Sequence, residues 1–73
     1  MGVKLRLSAR NKLEGTIEEL KTGVVNSEIV VKLKNGEHIV AMITKESTEN
    51  MDLKVGSKVL AIIKASNVMI GVE

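Results

Sequence analysis

The chain has 73 residues, a net charge of +2 and a hydrophobic content of 44%, but it contains no Phe, Tyr, Trp, Pro or Cys. A chain of this length is expected to form one domain, residues 1–73, that buries only about 60% of its unfolded surface. The composition excludes disulfides and thiolate metal sites, and one histidine is too few for a His-rich metal site. Oligomerisation is therefore the expected source of additional stability.

The longest unbroken apolar run covers only residues 59–63, which is far too short for a membrane span or a signal-peptide core. Basic and acidic residues are interleaved along the chain, as on an ordinary solvated surface. These features favour a soluble, cytoplasmic protein that has no membrane partner.

The first predicted element is a strand over residues 11–21, with Leu13, Gly15 and Ile17 on one face. Thr22 and Gly23 are predicted to turn the chain into a second strand. A glycine inside a strand is typical of a place where another backbone approaches closely. Gly15 is therefore expected to permit such an approach between strands or subunits.

The strongest local signal is a hairpin within residues 27–43, where Asn35 and Gly36 separate two β-branched runs. A two-residue type I′ loop at this position predicts three opposed pairs: Leu33 with His38, Val31 with Val40, and Ile29 with Met42. Their face is expected to be the core. The opposite face carries charged residues together with Val30, Ile39, Ala41 and Ile43. Because both faces are apolar, a second copy of the protein is expected to cover one of them.

The remaining elements are shorter. Residues 44–52 show no alternation, and Thr44 is expected to N-cap a single helical turn. Residues 58–64 are predicted to form a fourth strand that is apolar on both faces, and residues 68–72 a fifth. The order of elements predicts an all-β fold, a small five-stranded OB-like barrel with one short helical turn.

Catalysis is not expected. His38 is the only side chain that titrates near neutral pH without perturbation, and no nucleophile motif, P-loop or paired-carboxylate site accompanies it. OB-like barrels often bind nucleic acid through basic grooves and aromatic platforms. Because this chain has no aromatic residue, an OB-like nucleic-acid-binding or protein-interaction module is only the alternative function.

Hydrogen-bond donors are clustered at the predicted strand ends, and no carboxylate lies among them. Ser8 offers a hydroxyl, Arg10 a planar fork of donors, and Ala9 and Arg10 their backbone amides. A second group of hydrogen-bond donors follows the fourth predicted strand, and Thr44 lies at the end of the third strand. This second group consists of Lys64, Ala65 and Ser66. Each residue also has an ordinary structural explanation, but together they suit a fully deprotonated dianion such as molybdate, tungstate or sulfate.

Two motifs resemble those of the molbindin (Mop) family of molybdate- and tungstate-binding proteins, which have a TOBE-like domain. The first is Ser8-Ala9-Arg10-Asn11, followed by Leu13, Gly15 and Ile17. The second is Lys64-Ala65-Ser66-Asn67-Val68-Met69-Ile70. The resemblance extends over nearly the whole chain.

The resemblance implies an OB-like barrel that assembles as a homo-hexamer, a trimer of dimers, and binds molybdate or tungstate between subunits for storage or homeostasis. Residues Ser8, Ala9 and Arg10 would bind the oxyanion with Lys64, Ala65 and Ser66 close by, and Thr44 would come from a neighbouring subunit. Asn11 would fix the turn around Arg10 through its side-chain amide. The metal would be bound only as the oxyanion, with no nucleic-acid partner.

Overall fold

The computed structural model describes residues 10–73, so the candidate site residues Ser8 and Ala9 lie outside the described part of the chain. The elements, in chain order, are β1 (Asn11–Thr22), β2 (Asn26–Leu33), β3 (His38–Thr44), α1 (Lys45–Asn50), β4 (Lys58–Ile63) and a 3-10 helix (Ala65–Asn67). The strands form one antiparallel sheet in the order β3-β2-β1-β4. The sheet curls into a half-barrel, which confirms the predicted all-β, OB-like class.

β1 pairs with two neighbouring strands. Its N-terminal half pairs with β4 and its C-terminal half pairs with β2. Gly15 lies where the two ladders overlap, opposite Leu33 on one side and Val59 on the other. A β-bulge between Ile17 and Glu19 follows directly. Since a bulge bends its strand and increases the local twist, it helps β1 to curl from one neighbour to the other.

The loop between β2 and β3 is one residue longer than the predicted two-residue turn. The Gly36 amide donates to the Leu33 carbonyl at 3.0 Å, and the Leu33 amide donates to the Glu37 carbonyl at 2.7 Å. Gly36 has a φ of 93°, whereas Asn35 has no positive φ. The Asn35 side chain instead accepts a hydrogen bond from the Glu37 amide at 3.0 Å. This is the pattern of a type I turn followed by a G1 bulge, not of a type I′ turn.

The longer loop shifts the register of the hairpin by one residue. The predicted pairs Leu33 with His38, Val31 with Val40, and Ile29 with Met42 are therefore wrong. The observed pairs include Lys32 with His38, Val31 with Ile39, Val30 with Val40, Ile29 with Ala41, and Glu28 with Met42. A shift of one residue moves every side chain of a strand to the other face, so the two faces of β3 are exchanged relative to the prediction.

The exchange places Ile39, Ala41 and Ile43 on the core side of β3, where each is partly buried. Val40 and Met42, which were predicted to be in the core, are instead 61% and 67% exposed. Both faces of β3 are thus apolar, as the sequence predicted. The exposed face, however, carries Val40 and Met42 instead of Ile39, Ala41 and Ile43.

The predicted helical turn after β3 is confirmed as α1. The Thr44 hydroxyl accepts a hydrogen bond from the Ser47 amide at 3.0 Å, so Thr44 is the N-cap. The chain leaves the helix through Asp52, which has a φ of 52°. Within residues 10–73, no helix is long and apolar enough to cross a membrane.

The predicted fifth strand over residues 68–72 is not formed, and the sheet has four strands among the described residues rather than five. A strand needs a partner for its backbone groups, and this segment pairs with neither β3 nor β4 of its own chain. Its side chains are largely exposed, with Met69 at 92% and Val72 at 95%. The apolar alternation that predicted the strand is real, but the segment is not paired with the sheet among the described residues.

The core of the described chain is correspondingly small. The fully buried apolar side chains are Ile17, Ile29 and Val31, and a ring of partly buried residues packs against them. The ring consists of Leu20, Leu33, Ile43, Leu53 and Val59. Burial of three side chains gives limited hydrophobic stabilisation, so the chain depends on tight contacts where its strands cross.

We expect Gly15→Ala to destabilise the protein by about 1–3 kcal/mol, because the added methyl group overpacks the crossing of the two ladders. A Cβ atom at Gly15 would lie 2.5 Å from Val31 Cγ1 and 2.7 Å from the Lys32 carbonyl oxygen. Chemical denaturation measures the change. Thr16→Ala is the matched control, since Thr16 is exposed and its truncation should change stability by at most about 0.5 kcal/mol. Equal stability of the two variants would show that the backbone relaxes at Gly15 without cost.

Candidate functional site

The two donor-rich motifs meet at one end of the sheet. Asn11, the first residue of β1, pairs with Ile63, the last residue of β4. The Asn11 side-chain amide also donates to the Ile63 carbonyl at 3.2 Å. Arg10 precedes one member of this pair and Lys64 follows the other, so these residues adjoin the same end of the β1–β4 ladder.

The Asn11 side chain makes a contact that the sequence did not predict. Its amide was expected to fix the turn around Arg10, which includes residues outside the described part of the chain. Among the described residues, the amide reaches across to the end of β4. Asn11 therefore ties the two motifs together. The sequence could not show this, because the bond joins residues that are 52 positions apart.

Arg10 and Lys64 bring two positive charges to this end of the sheet, and both side chains are exposed. The ion pairs within residues 10–73 are Lys34 with Glu14 and His38 with Glu18, so neither Arg10 nor Lys64 has a carboxylate partner in that part of the chain. Guanidinium and ammonium groups donate hydrogen bonds and accept none. This end of the sheet therefore offers cationic donors that no described carboxylate neutralises.

The 3-10 helix adds backbone donors beside Lys64. Lys64 is its N-cap residue, and the Asn67 amide donates to the Lys64 carbonyl at 2.8 Å. The first amides of a short helix, here those of Ala65 and Ser66, have no acceptor within the helix. Both residues are exposed, and Ser66 adds a hydroxyl. The structure thus places four predicted site residues at one end of the sheet: Arg10, Lys64, Ala65 and Ser66.

Thr44 is not brought to this group within one chain. It pairs with Asn26 near the opposite end of β1 from Asn11. β1 has twelve residues, and at ~3.3 Å per residue its contour spans about 36 Å. The Thr44 hydroxyl is also engaged locally, since it accepts from the Ser47 amide and donates to Ser47 Oγ at 2.9 Å. Its helix-capping role is therefore shown, whereas strand pairing within the chain does not bring it to the other donors.

His38 has a structural contact that the sequence did not predict. Its Nε2 atom lies 2.6 Å from Glu18 Oε1, and both side chains are half-exposed. Glu18 sits in the β1 bulge, outside the regular register. Because a bulge cannot be placed from strand alternation alone, the partner of His38 could not be identified from the sequence.

An open cavity of about 810 Å³ lies elsewhere, beside Gly15 and Val59. Three lysines line it, and one of them, Lys34, contacts Glu14 at 2.6 Å. The hydrogen bond and the charge of Lys34 lower the pKa of Glu14 below its ordinary value, and the same contact raises the pKa of Lys34. Because the Glu14 carboxylate also lines this cavity and pairs with Lys34, the cavity is a less suitable anion site than the Arg10–Lys64 end.

A TOBE domain family model matches residues 7–70. Molybdenum-pterin-binding protein 2 of Clostridium pasteurianum is 38% identical over 66 residues, which cover 90% of this chain and 97% of that protein. The molybdenum transport protein ModE of Azotobacter vinelandii is 38% identical over 71 residues, but the chain spans only 26% of its length.

A similar structure is that of the cytoplasmic molybdate-binding protein ModG, determined with molybdate bound. It matches this chain with a TM-score of 0.91 and 48% sequence identity. The match covers 94% of this chain and 49% of that chain.

We expect Thr44→Ala to lower the free energy of unfolding by about 0.5–2 kcal/mol without any anion present, because the Ser47 amide loses its capping acceptor. Thr44→Ser is the matched control, since serine keeps the hydroxyl. Thermal and chemical denaturation of both variants in anion-free buffer measure the effect. An unchanged stability of the alanine variant would show that solvent replaces the cap without loss.

Proposed function

Because the chain belongs to the TOBE domain family, among the small molybdenum-pterin-binding (Mop) proteins, we propose that it binds molybdate. The observation that carries the proposal is the pairing of Asn11 with Ile63, which brings Arg10 and Lys64 to one end of the sheet. Two cationic donors without a described carboxylate partner suit a dianion that carries no proton.

The proposed site includes residues from more than one subunit. Arg10, Lys64, Ala65 and Ser66 would bind the oxyanion from one subunit, joined by Ser8 and Ala9, which adjoin Arg10 in the sequence. Thr44 would come from a neighbouring subunit, since it lies near the opposite end of β1 in its own chain. Neutral donors from the second subunit would add hydrogen bonds without adding a third positive charge.

Assembly into a homo-oligomer, with a hexamer as the expected state, is part of the proposal. The exposed apolar side chains on the edge strands support it, because a lone chain would leave them in water. These side chains are Val40 and Met42 on β3, and Leu60 and Ile62 on β4. Residues 1–73 would form a single Mop domain in each subunit.

The proposed role is storage or homeostasis of the oxyanion in the cytoplasm, without catalysis. The relatives are named as binding and transport proteins, and ModG is described as cytoplasmic. Tungstate is proposed as a second ligand, because it has nearly the same size and charge as molybdate. Neither anion needs an acceptor from the protein, which matches the donor-only character of the site.

We expect Arg10→Ala to weaken molybdate binding by about 2–5 kcal/mol, as when one partner of a buried charged contact is removed. Isothermal titration of the oligomer with molybdate at pH 7 measures the affinity. Lys58→Ala is the matched control, because Lys58 is an exposed cation opposite Thr16 in the middle of β1, away from the ends that carry Arg10 and Thr44. If both variants bind molybdate like the parent protein, Arg10 is only a solvated residue at the start of a strand.

We also expect phosphate to bind more weakly than molybdate. Near neutral pH, phosphate retains at least one proton, which needs an acceptor that the donor set lacks. An unsatisfied donor costs roughly 1–3 kcal/mol, equivalent to about 5- to 150-fold in affinity. Titrations with phosphate, sulfate and molybdate under one condition provide the comparison. Sulfate is the control, since it shares the charge of molybdate and carries no proton. Equal affinity for phosphate and molybdate would contradict the proposed donor set.

A further inference from the structure

The tip of the β2–β3 hairpin carries an asparagine that is followed directly by a glycine. The chain has five asparagines, and Asn35 is the one that precedes a glycine. A glycine has no Cβ atom, so no side chain shields its backbone nitrogen from the carboxamide of the preceding residue. Attack of that nitrogen on the carboxamide carbon is the first step of asparagine deamidation. Because Asn35 and Gly36 are both exposed, a chemically reactive pair lies at the surface.

The folded hairpin engages both reacting groups. The Gly36 amide donates to the Leu33 carbonyl at 3.0 Å, and Asn35 Oδ1 accepts from the Glu37 amide at 3.0 Å. Attack requires the Gly36 nitrogen to lose its proton, and the hydrogen bond to Leu33 holds that proton in place. The bond from Glu37 fixes the orientation of the carboxamide. The reaction therefore requires the tip of the hairpin to open.

Few other contacts oppose this opening. Residues 34–37 are exposed, and a Cβ atom built on Gly36 would meet no heavy atom within 4 Å. Exposed loop ends open locally at a much lower cost in free energy than the core of a protein. Water, the second reactant, reaches the tip directly. We propose that Asn35 is a site of spontaneous deamidation, and that its rate is set by the opening of residues 33–37.

The reaction needs only water and the chain itself. The Gly36 nitrogen bonds to Asn35 Cγ, the Cγ–Nδ2 bond breaks, and ammonia leaves with the proton from the Gly36 nitrogen. The product is a cyclic succinimide. Water then opens the ring at either of its carbonyl carbons. Opening at Cγ gives an aspartate at position 35, whereas opening at the main-chain carbonyl gives an isoaspartate, in which the chain continues through Cγ.

The two products affect the hairpin differently. An aspartate keeps a side-chain oxygen that accepts from the Glu37 amide, so the turn is retained with an added negative charge. An isoaspartate inserts an additional carbon into the main chain before Gly36. The hydrogen bonds of Leu33 with Gly36 and Glu37 close this loop and set the register of β3, and they cannot form with the same geometry around a longer main chain. Isoaspartate at position 35 therefore destabilises the hairpin, whereas aspartate does not.

Peptide mapping by mass spectrometry tests the site. The parent protein is incubated in mildly alkaline buffer, folded in one sample and unfolded by guanidinium chloride in the other, and deamidation is followed at each asparagine. We expect Asn35 to react severalfold faster in the unfolded sample than in the folded one, because unfolding removes the hydrogen bond of the Gly36 amide. Fragmentation of the peptide backbone distinguishes isoaspartate from aspartate.

Asn26 is the matched control within the same chain. It is also exposed, but it precedes a serine, so we expect it to react severalfold more slowly than Asn35 in the unfolded sample. Equal rates at Asn26 and Asn35 in that sample would overturn the assignment of the site. A rate at Asn35 that is as high in the folded sample as in the unfolded one would overturn the control of the reaction by hairpin opening.

Asn35→Gln separates this reaction from other damage during incubation. Glutamine keeps an uncharged carboxamide, but its longer side chain must close a larger ring and does so far more slowly. Both proteins are incubated unfolded, returned to native buffer and melted beside fresh samples. We expect the incubated parent protein to contain a population with a lower Tm, in proportion to its isoaspartate content, and the glutamine variant to melt like its own fresh sample. An equal loss of Tm in both proteins, or no loss in a parent sample that contains isoaspartate, would overturn the effect on the hairpin. None of these results depends on molybdate binding.

Discussion

The fold depends on the ability of β1 to pair with two neighbours at once. At Gly15 the backbone of β1 lies between Leu33 of β2 and Val59 of β4, and the absent side chain allows Val31 to pack directly over it. The bulge after Ile17 then turns the strand toward β2. Without this close approach, the sheet could not curl around so small a core. The position of the donor groups follows from the same strand, since the N-terminal end of β1 meets the C-terminal end of β4.

The pairing at that end brings two distant sequence motifs to one place. Arg10 and Lys64 are more than fifty positions apart in the sequence, yet the Asn11–Ile63 pair fixes both beside one ladder. The ladder orients the backbone, but it does not neutralise the charges of Arg10 and Lys64. In the proposed site, an anion between the two cations would offset their mutual repulsion. The sheet would then supply preorganisation that ligand binding would otherwise have to provide.

Strand positions could be predicted well from the sequence, because alternation of apolar residues and the turn residues are local signals. The start of β1 at Asn11, the helical turn capped by Thr44 and the close approach at Gly15 all agree with the predictions. The register of the β2–β3 hairpin could not be predicted, since Asn35-Gly36 is compatible with either a type I′ turn or a type I turn with a G1 bulge. A one-residue difference in the loop decided which face of β3 enters the core.

The predicted fifth strand failed for a different reason. The alternation in residues 68–72 shows that the segment can lie on an apolar surface, but alternation does not say which chain supplies the surface. The same limit applies to the candidate site. Donor chemistry grouped Thr44 with Lys64 and Arg10, whereas the topology separates them within one chain. A sequence pattern indicates which kind of surface or partner a residue needs. Only the arrangement of the strands shows whether its own chain supplies that surface or partner.

Assembly and anion binding are coupled if the proposed site is shared between subunits. An anion that binds only the assembled form stabilises it by RT ln(1 + [L]/Kd) per independent site. The apolar edges of β3 and β4 favour association whether or not the anion is present. The positive charges of Arg10 and Lys64, by contrast, repel each other when they are brought together. Apolar contacts would therefore hold the subunits together, and the anion would relieve the remaining electrostatic repulsion. This division of roles would allow a chain with three buried apolar side chains to form the proposed site together with a second copy.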